Sequence, residues 1–241
     1  MAWFSKHMIA LLLCFTFLGG DKVFAQTAED WYIQGNAMFE QKDYNGAIDS
    51  YDHAIRMNPK YANAYSRRGN AKHRLKDLSG ALADFNMSIT INDKSWEPWY
   101  NRGVVKYKLN DSKGAGEDYT RAIALNPKYG PAYNNRGVVR NEVKDYAGAV
   151  QDFSKAIELN AKNTEAYYNR GNARSGQQKY KEAIEDYNKA IELDPQHAKA
   201  YGNRAVAKIS NGDAAGGCED LKKASALGHK ASEERIKIYC Q

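Results

Sequence analysis

The tetrapeptide Tyr100-Asn101-Arg102-Gly103 returns as Tyr168-Asn169-Arg170-Gly171, and in a five-residue form as Tyr65-Ser66-Arg67-Arg68-Gly69 and Tyr133-Asn134-Asn135-Arg136-Gly137. Gly35, Gly69, Gly103, Gly137 and Gly171 stand 34 residues apart. The same interval separates Ala47, Ala81, Ala115, Ala149 and Ala183, and then the aromatics Tyr51, Phe85, Tyr119, Phe153 and Tyr187. Pro59, Pro127 and Pro195 fall at multiples of it. Several independent landmarks on one period mark a repeat array, in which no single unit buries its own apolar face and each must stack on the next.

Counted from Ala28 as position 1, each unit reads as two helices. The first carries the glycine at position 8, where the missing side chain lets a neighbouring helix come close. The second carries alanines at positions 20 and 27 with the aromatic at 24, one face at helical spacing. Asp43, Asp77, Asp111, Asp145 and Asp213 precede the second helix and are expected to cap its free amides, whereas Lys179 breaks that pattern. These positions resemble the tetratricopeptide repeat family, whose 34-residue pattern runs from an aromatic through Leu-Gly and Ala to Phe and Pro. The resemblance implies an all-α, right-handed superhelical solenoid of antiparallel helix pairs. Units are expected at 28–61, 62–95, 96–129, 130–163 and 164–197, with a degenerate sixth at 198–231 and a C-terminal cap at 232–241.

The remaining composition agrees with a folded helical chain. Of 241 residues 43% are hydrophobic and 27% charged, with only 5 prolines, which excludes a disordered or collagen-like chain. The net charge of +6 comes from 35 cationic and 29 anionic side chains interspersed throughout, so nucleic acid is not implied as a partner. Lys6 and His7 precede the apolar run Met8 to Leu18, and Gly19-Gly20 leads to Val23-Phe24-Ala25. This pattern predicts a secretory leader, residues 1–25, cleaved after Ala25, leaving no transmembrane segment in an exported periplasmic or secreted protein. Two cysteines then remain, Cys218 and Cys240. In an oxidising compartment they are a disulfide candidate, and their places on adjacent antiparallel helices would let them meet.

No catalytic constellation, metal-ligand spacing or phosphate loop is visible, so neither an enzyme nor a cofactor is expected. The family's usual leucine is replaced by Arg68, Arg102, Arg136, Arg170 and Arg204, and sixteen residues later stand Asp84, Asp118, Asp152, Asp186 and Asp220. The first unit has Gln34 and Ser50 at those places. Because both charges are absent from the same unit, ion pairs within each hairpin are expected rather than an arginine ladder open to an acidic ligand. One residue before the arginines lie Asn101, Asn135, Asn169 and Asn203, a series that resembles the asparagine ladder of the O-linked N-acetylglucosamine transferase superhelix. A primary amide both donates and accepts, so such a ladder can pair with a peptide backbone without reading its side chains. Tyr32, Asn36, Asn70, Tyr100, Asn134, Tyr168 and Asn172 are further candidates for the same concave face. The expected function is a non-enzymatic scaffold holding an extended peptide of a protein partner; the alternative is a self-assembling, homo-oligomeric solenoid of an envelope complex.

Overall fold

The computed structural model describes residues 26–240, and the expected leader lies outside these residues. Among the described residues there are thirteen α-helices and no strand. The first helices of the repeats are α1 (Ala28–Glu40), α3 (Ala62–Arg74), α5 (Trp96–Lys108), α7 (Gly130–Glu142), α9 (Thr164–Gly176) and α11 (Ala198–Ser210). The second helices are α2 (Tyr44–Met57), α4 (Leu78–Ile91), α6 (Ser112–Leu125), α8 (Tyr146–Leu159), α10 (Tyr180–Leu193) and α12 (Ala214–Ala226). Each helix packs on its partner and on the first helix of the following repeat, which builds the right-handed superhelical solenoid. A last helix, α13 (Lys230–Tyr239), lies on α12 and starts two residues ahead of the expected cap boundary.

Helix ends follow from local chemistry. Asp43, Asp77, Asp111, Asp145 and Asp213 each accept a hydrogen bond from the amide of the glycine three residues on, at 2.8–3.0 Å. In repeat 5 the pair changes together: Lys179 makes no side-chain cap, and Glu182 stands where the others have glycine. The turn into each second helix passes through a left-handed residue, with φ of 62–65° at Lys42, Lys76, Asn110, Lys144 and Gln178. Only repeat 6 places a glycine, Gly212, at that point.

The core is one ring per repeat in repeats 1 to 5, with Leu221 at that place in repeat 6. Tyr51, Phe85, Tyr119, Phe153 and Tyr187 are fully buried, each edge-on to the position-8 glycine of its own repeat. A Cβ added at Gly103 would stand 2.8 Å from Cε1 of Tyr119, so a larger residue would force the two helices apart.

Beside each ring, in repeats 2 to 6, a buried aspartate is shared between two cations. The Nε and Nη2 atoms of Arg136 donate to Asp152 at 2.9 and 2.7 Å, and Arg140 adds a third bond at 2.9 Å. The same fork joins Arg68 to Asp84, Arg102 to Asp118, Arg170 to Asp186 and Arg204 to Asp220. The second cations, one helical turn after each arginine, are Lys72, Lys106, Arg174 and Lys208. The remaining arginine nitrogen crosses to the second helix of the preceding repeat, reaching Asp52, Asn86, Thr120, Ser154 and Asn188 in turn. Burial works against the Arg68 charge, but the bonds to Asp84 and Asp52 outweigh it and raise its pKa. Repeat 1 lacks the whole set: Gln34 and Met38 replace the cations, and Ser50 bonds back to the Gly46 carbonyl.

Removing one partner of such a group strands buried charge, whereas replacing the whole group does not. Asp152→Ala is therefore expected to lower stability by about 3–5 kcal/mol in denaturant melts. The repeat 1 set transplanted into repeat 4, Arg136→Gln with Arg140→Met and Asp152→Ser, should stay within about 1 kcal/mol of the parent chain. A triple variant as unstable as the single one would show that Asp152 is not held for its charge.

Candidate functional site in the concave groove

The first helices of neighbouring repeats approach one another while the second helices splay outward, so the inner face of the solenoid is built from first helices. All four asparagines of the expected ladder lie there and are half-buried, but they are not equivalent. Asn135 donates through Nδ2 to the Tyr100 hydroxyl at 3.3 Å. Asn203 donates to the Tyr168 hydroxyl at 3.1 Å and to Oδ1 of Asn172 at 2.8 Å. Asn101 and Asn169 have no side-chain partner among the described residues. Of the further candidates, Asn36 and Asn172 accept from the hydroxyls of Tyr51 and Tyr187, both at 2.9 Å. Asn134 reaches Asn135 at 3.5 Å and leaves a buried Oδ1 unpaired, while Asn70 stays open on a cavity wall.

This difference reflects a second period, of two repeats, that the search for identity at 34 residues passes over. Position 5 alternates Tyr32, Ser66, Tyr100, Asn134, Tyr168, Gly202, and position 34 alternates Tyr61, Ser95, Tyr129, Asn163, His197, Ala231. Position 2 is Glu29, Glu97 and Glu165 in the odd repeats only. The core ring follows the same beat, tyrosine in repeats 1, 3 and 5 and phenylalanine in 2 and 4. In space each odd set closes into one cluster. Tyr32 lies 5.0 Å from Tyr61, Tyr100 4.9 Å from Tyr129, and Tyr168 4.8 Å from His197, measured between ring centroids. The same three tyrosines lie 5.9–6.1 Å from Tyr51, Tyr119 and Tyr187 of the core. These rings seal the junctions after repeats 1, 3 and 5, and the tied Asn135 and Asn203 belong to two of those seals.

The junctions after repeats 2 and 4 have small polar residues at the corresponding places, Ser66 with Ser95 and Asn134 with Asn163, and the first of them is open. Two adjoining cavities of about 120 and 70 Å³ occupy the first of them, with Ser66 and Arg67 on one wall and Glu97 on the other. A third cavity, about 190 Å³, lies between repeats 3 and 4, lined by Val104, Tyr107 and Asn135, so the ring cluster there closes that junction only in part. Asn101 is thus a wall residue of an open junction, and Asn169 holds the corresponding place two repeats on. The glutamates and position-34 aromatics were not among the sequence candidates, although their 68-residue spacing is legible once looked for.

The five Arg/Asp pairs lie outside this groove, within the stacked hairpins. At the far end, Cys218 and Cys240 sit with Cα atoms 5.6 Å apart, inside the range a disulfide requires. Among the described residues no three His, Cys, Asp or Glu side chains are grouped to hold a metal ion, and no helix is long and apolar enough to cross a membrane.

Comparison with known proteins places these features in context. A tetratricopeptide repeat profile matches residues 96–129 and 164–197, a second matches 186–218, and a TPR repeat profile matches 35–76 and 141–178. Over 44 residues the chain is 46% identical to the Protein STIP1 homolog of Dictyostelium discoideum, a stretch that is 18% of this chain and 8% of that protein. Among solved structures it is similar to YrrB, described as a TPR protein with an unusual peptide-binding site, at 23% identity and a TM-score of 0.71 over 78% of this chain and 97% of that one. It is also similar to pilF of Pseudomonas aeruginosa, at 14% identity and a TM-score of 0.75 over 88% and 96%. At these identities the structural likeness speaks for the fold.

The sealed junctions carry a pH signature. Burial and the neighbouring Tyr100 push Tyr129 up to about 12, and burial raises Tyr100 itself. A raised phenol pKa means the fold favours the neutral ring, so this stability is complete below about pH 10 and lost as pH rises through about 12. Tyr129→Phe, which keeps the ring, should move the alkaline unfolding midpoint followed by circular dichroism to higher pH. An unchanged midpoint would mean that the Tyr129 hydroxyl ionises freely in the folded chain.

Proposed function

Because the chain belongs to the tetratricopeptide repeat family, we propose that it is a non-enzymatic interaction scaffold holding an extended peptide segment of a protein partner in its concave groove. The family and its fold are typically those of scaffolds. The observation that carries the reading is the division of the asparagine series. Asn135 and Asn203 are spent on the ring clusters, whereas Asn101 and Asn169, two repeats apart, each leave a donor and an acceptor unengaged on the inner face. An extended chain running along the groove offers a carbonyl and an amide to each. Repetition of a neutral amide suits a ligand that is itself repetitive, which a peptide backbone is.

The reading is tested with a positional-scanning library of decapeptides, blocked at both ends, against the purified chain. Asn101→Ala combined with Asn169→Ala should weaken binding by about 1–3 kcal/mol, at about 0.5–1.5 kcal/mol for each lost hydrogen bond. The double variant should melt with the parent. Unchanged affinity in the folded double variant would move the binding face away from these amides.

The leader at residues 1–25 supports a further part of the proposal, that the mature chain begins after Ala25 and works in a periplasmic or secreted setting. There Cys218 and Cys240 would be joined, closing α13 onto α12 and covering the end of the array. The bond, between residues separated by 22, would add on the order of 3 kcal/mol by restricting the unfolded chain. Non-reducing peptide mapping of protein recovered from its native compartment is expected to return one cross-linked peptide. Two free, alkylatable thiols would refute the exported, oxidised form.

A further inference from the structure

We propose that the open junction between repeats 2 and 3 is a station for one basic residue of the bound peptide, a lysine or an arginine; this deepens the groove reading and rests on it. The three odd-repeat glutamates are chemically alike but differently engaged. Glu29 accepts a hydrogen bond from the Tyr61 hydroxyl, and Glu165 lies 3.5 Å from Nε2 of His197. In repeat 3 the corresponding tyrosine, Tyr129, shares its hydroxyl with Tyr100 instead. Glu97 therefore keeps an exposed carboxylate with no hydrogen bond or ion pair among the described residues, and it faces both junction cavities.

Around that carboxylate stand three aromatic rings. Trp96 lies 4.2 Å from Tyr129, and Tyr129 meets Tyr100 edge to face at 84°. All three line the larger cavity with Glu97. Electron-rich ring faces arranged beside an acid attract an ammonium or a guanidinium. The opposite wall carries a positive charge, Arg67, next to the amides of Asn70 and Asn101. A free cation would meet repulsion there. A basic residue within a peptide would not, because its backbone carbonyl can accept from Arg67 and the two amides while its side chain turns towards Glu97. An acidic residue would gain Arg67 but set its charge against Glu97 and the ring faces. At about 120 Å³ the cavity accepts the end of a side chain and little more.

The blocked decapeptide library decides the point, with the other two glutamates as internal controls. The parent chain should prefer Lys or Arg at one position of the bound peptides. Glu97→Gln should weaken those peptides by about tenfold or more and abolish the preference. Glu29→Gln, whose carboxylate accepts from the Tyr61 hydroxyl, and Glu165→Gln, whose carboxylate lies beside His197, should leave it in place. Circular dichroism checks that each variant is folded. Retention of the preference in Glu97→Gln, or a preference of the parent for acidic residues at that position, overturns the station. Peptides bound with no charge preference would sink the station and leave the groove reading standing. A folded parent chain that binds no peptide would sink both.

Discussion

A buried aspartate held between two cations sets the geometry of repeats 2 to 6. In repeats 2 to 5 each arginine stands one residue before the glycine that admits the core ring, and each aspartate one residue before that ring; repeat 6 has Ala205 and Leu221 at those places. The ion pair and the ring-on-glycine contact therefore fix the same register of the same two helices. The third nitrogen of the arginine then reaches the preceding repeat, so one side chain specifies both the hairpin and its stacking. Net stability is a poor reason for such a group, since desolvation offsets most of the attraction. Repeat 1, with Gln34, Met38 and Ser50, folds the same hairpin without it. What the charges add is a cost for any misregistered packing, which would leave an aspartate or an arginine buried alone.

With stacking settled on the outer side of the hairpins, the inner face is free to vary, and it varies in pairs. A tyrosine at position 5 has the position-34 residue of its own repeat as ring partner, and the repeat that follows carries no ring at position 5. Tyr100 with Tyr129 leaves Asn134 as the following position 5, and Tyr168 with His197 leaves Gly202. Ring-bearing and small polar junctions alternate as a consequence.

Legibility in the sequence tracked how each feature is written. The 34-residue spacing of glycine, alanine and aromatic is a statement of sameness, and it gave helix pairs and stacking. The Arg/Asp pairing was readable because repeat 1 lost both members at once. The second cation was not, since Lys72, Lys106, Arg140, Arg174 and Lys208 look like ordinary solvated helix residues and declare themselves only one turn from an arginine already facing an aspartate. The four asparagines were read as equal rungs because position alone makes them equal. Their inequality comes from Tyr100 and Tyr168 on a different helix, 35 residues away, and no local pattern reports that contact.

Departures from the repeat, rather than the repeat itself, are where this chain can be selective. A position bound into the ring, glycine or charge network cannot change without disturbing the packing of two helices, as the 2.8 Å approach at Gly103 illustrates. Positions 2, 5 and 34 lie outside that network, and they are where glutamate, tyrosine and histidine alternate with serine, asparagine and alanine. Neutral amides such as those of Asn101 and Asn169 suit any extended backbone, so in the proposed groove they would supply grip without choice. Choice requires a charge or a shape that one side chain meets and another does not, and in this groove Glu97 facing Arg67 across an aromatic-lined cavity combines the two. A scaffold that separates grip from choice in this way can alter its partner by changing one junction, while the aspartate network beneath keeps the solenoid unchanged.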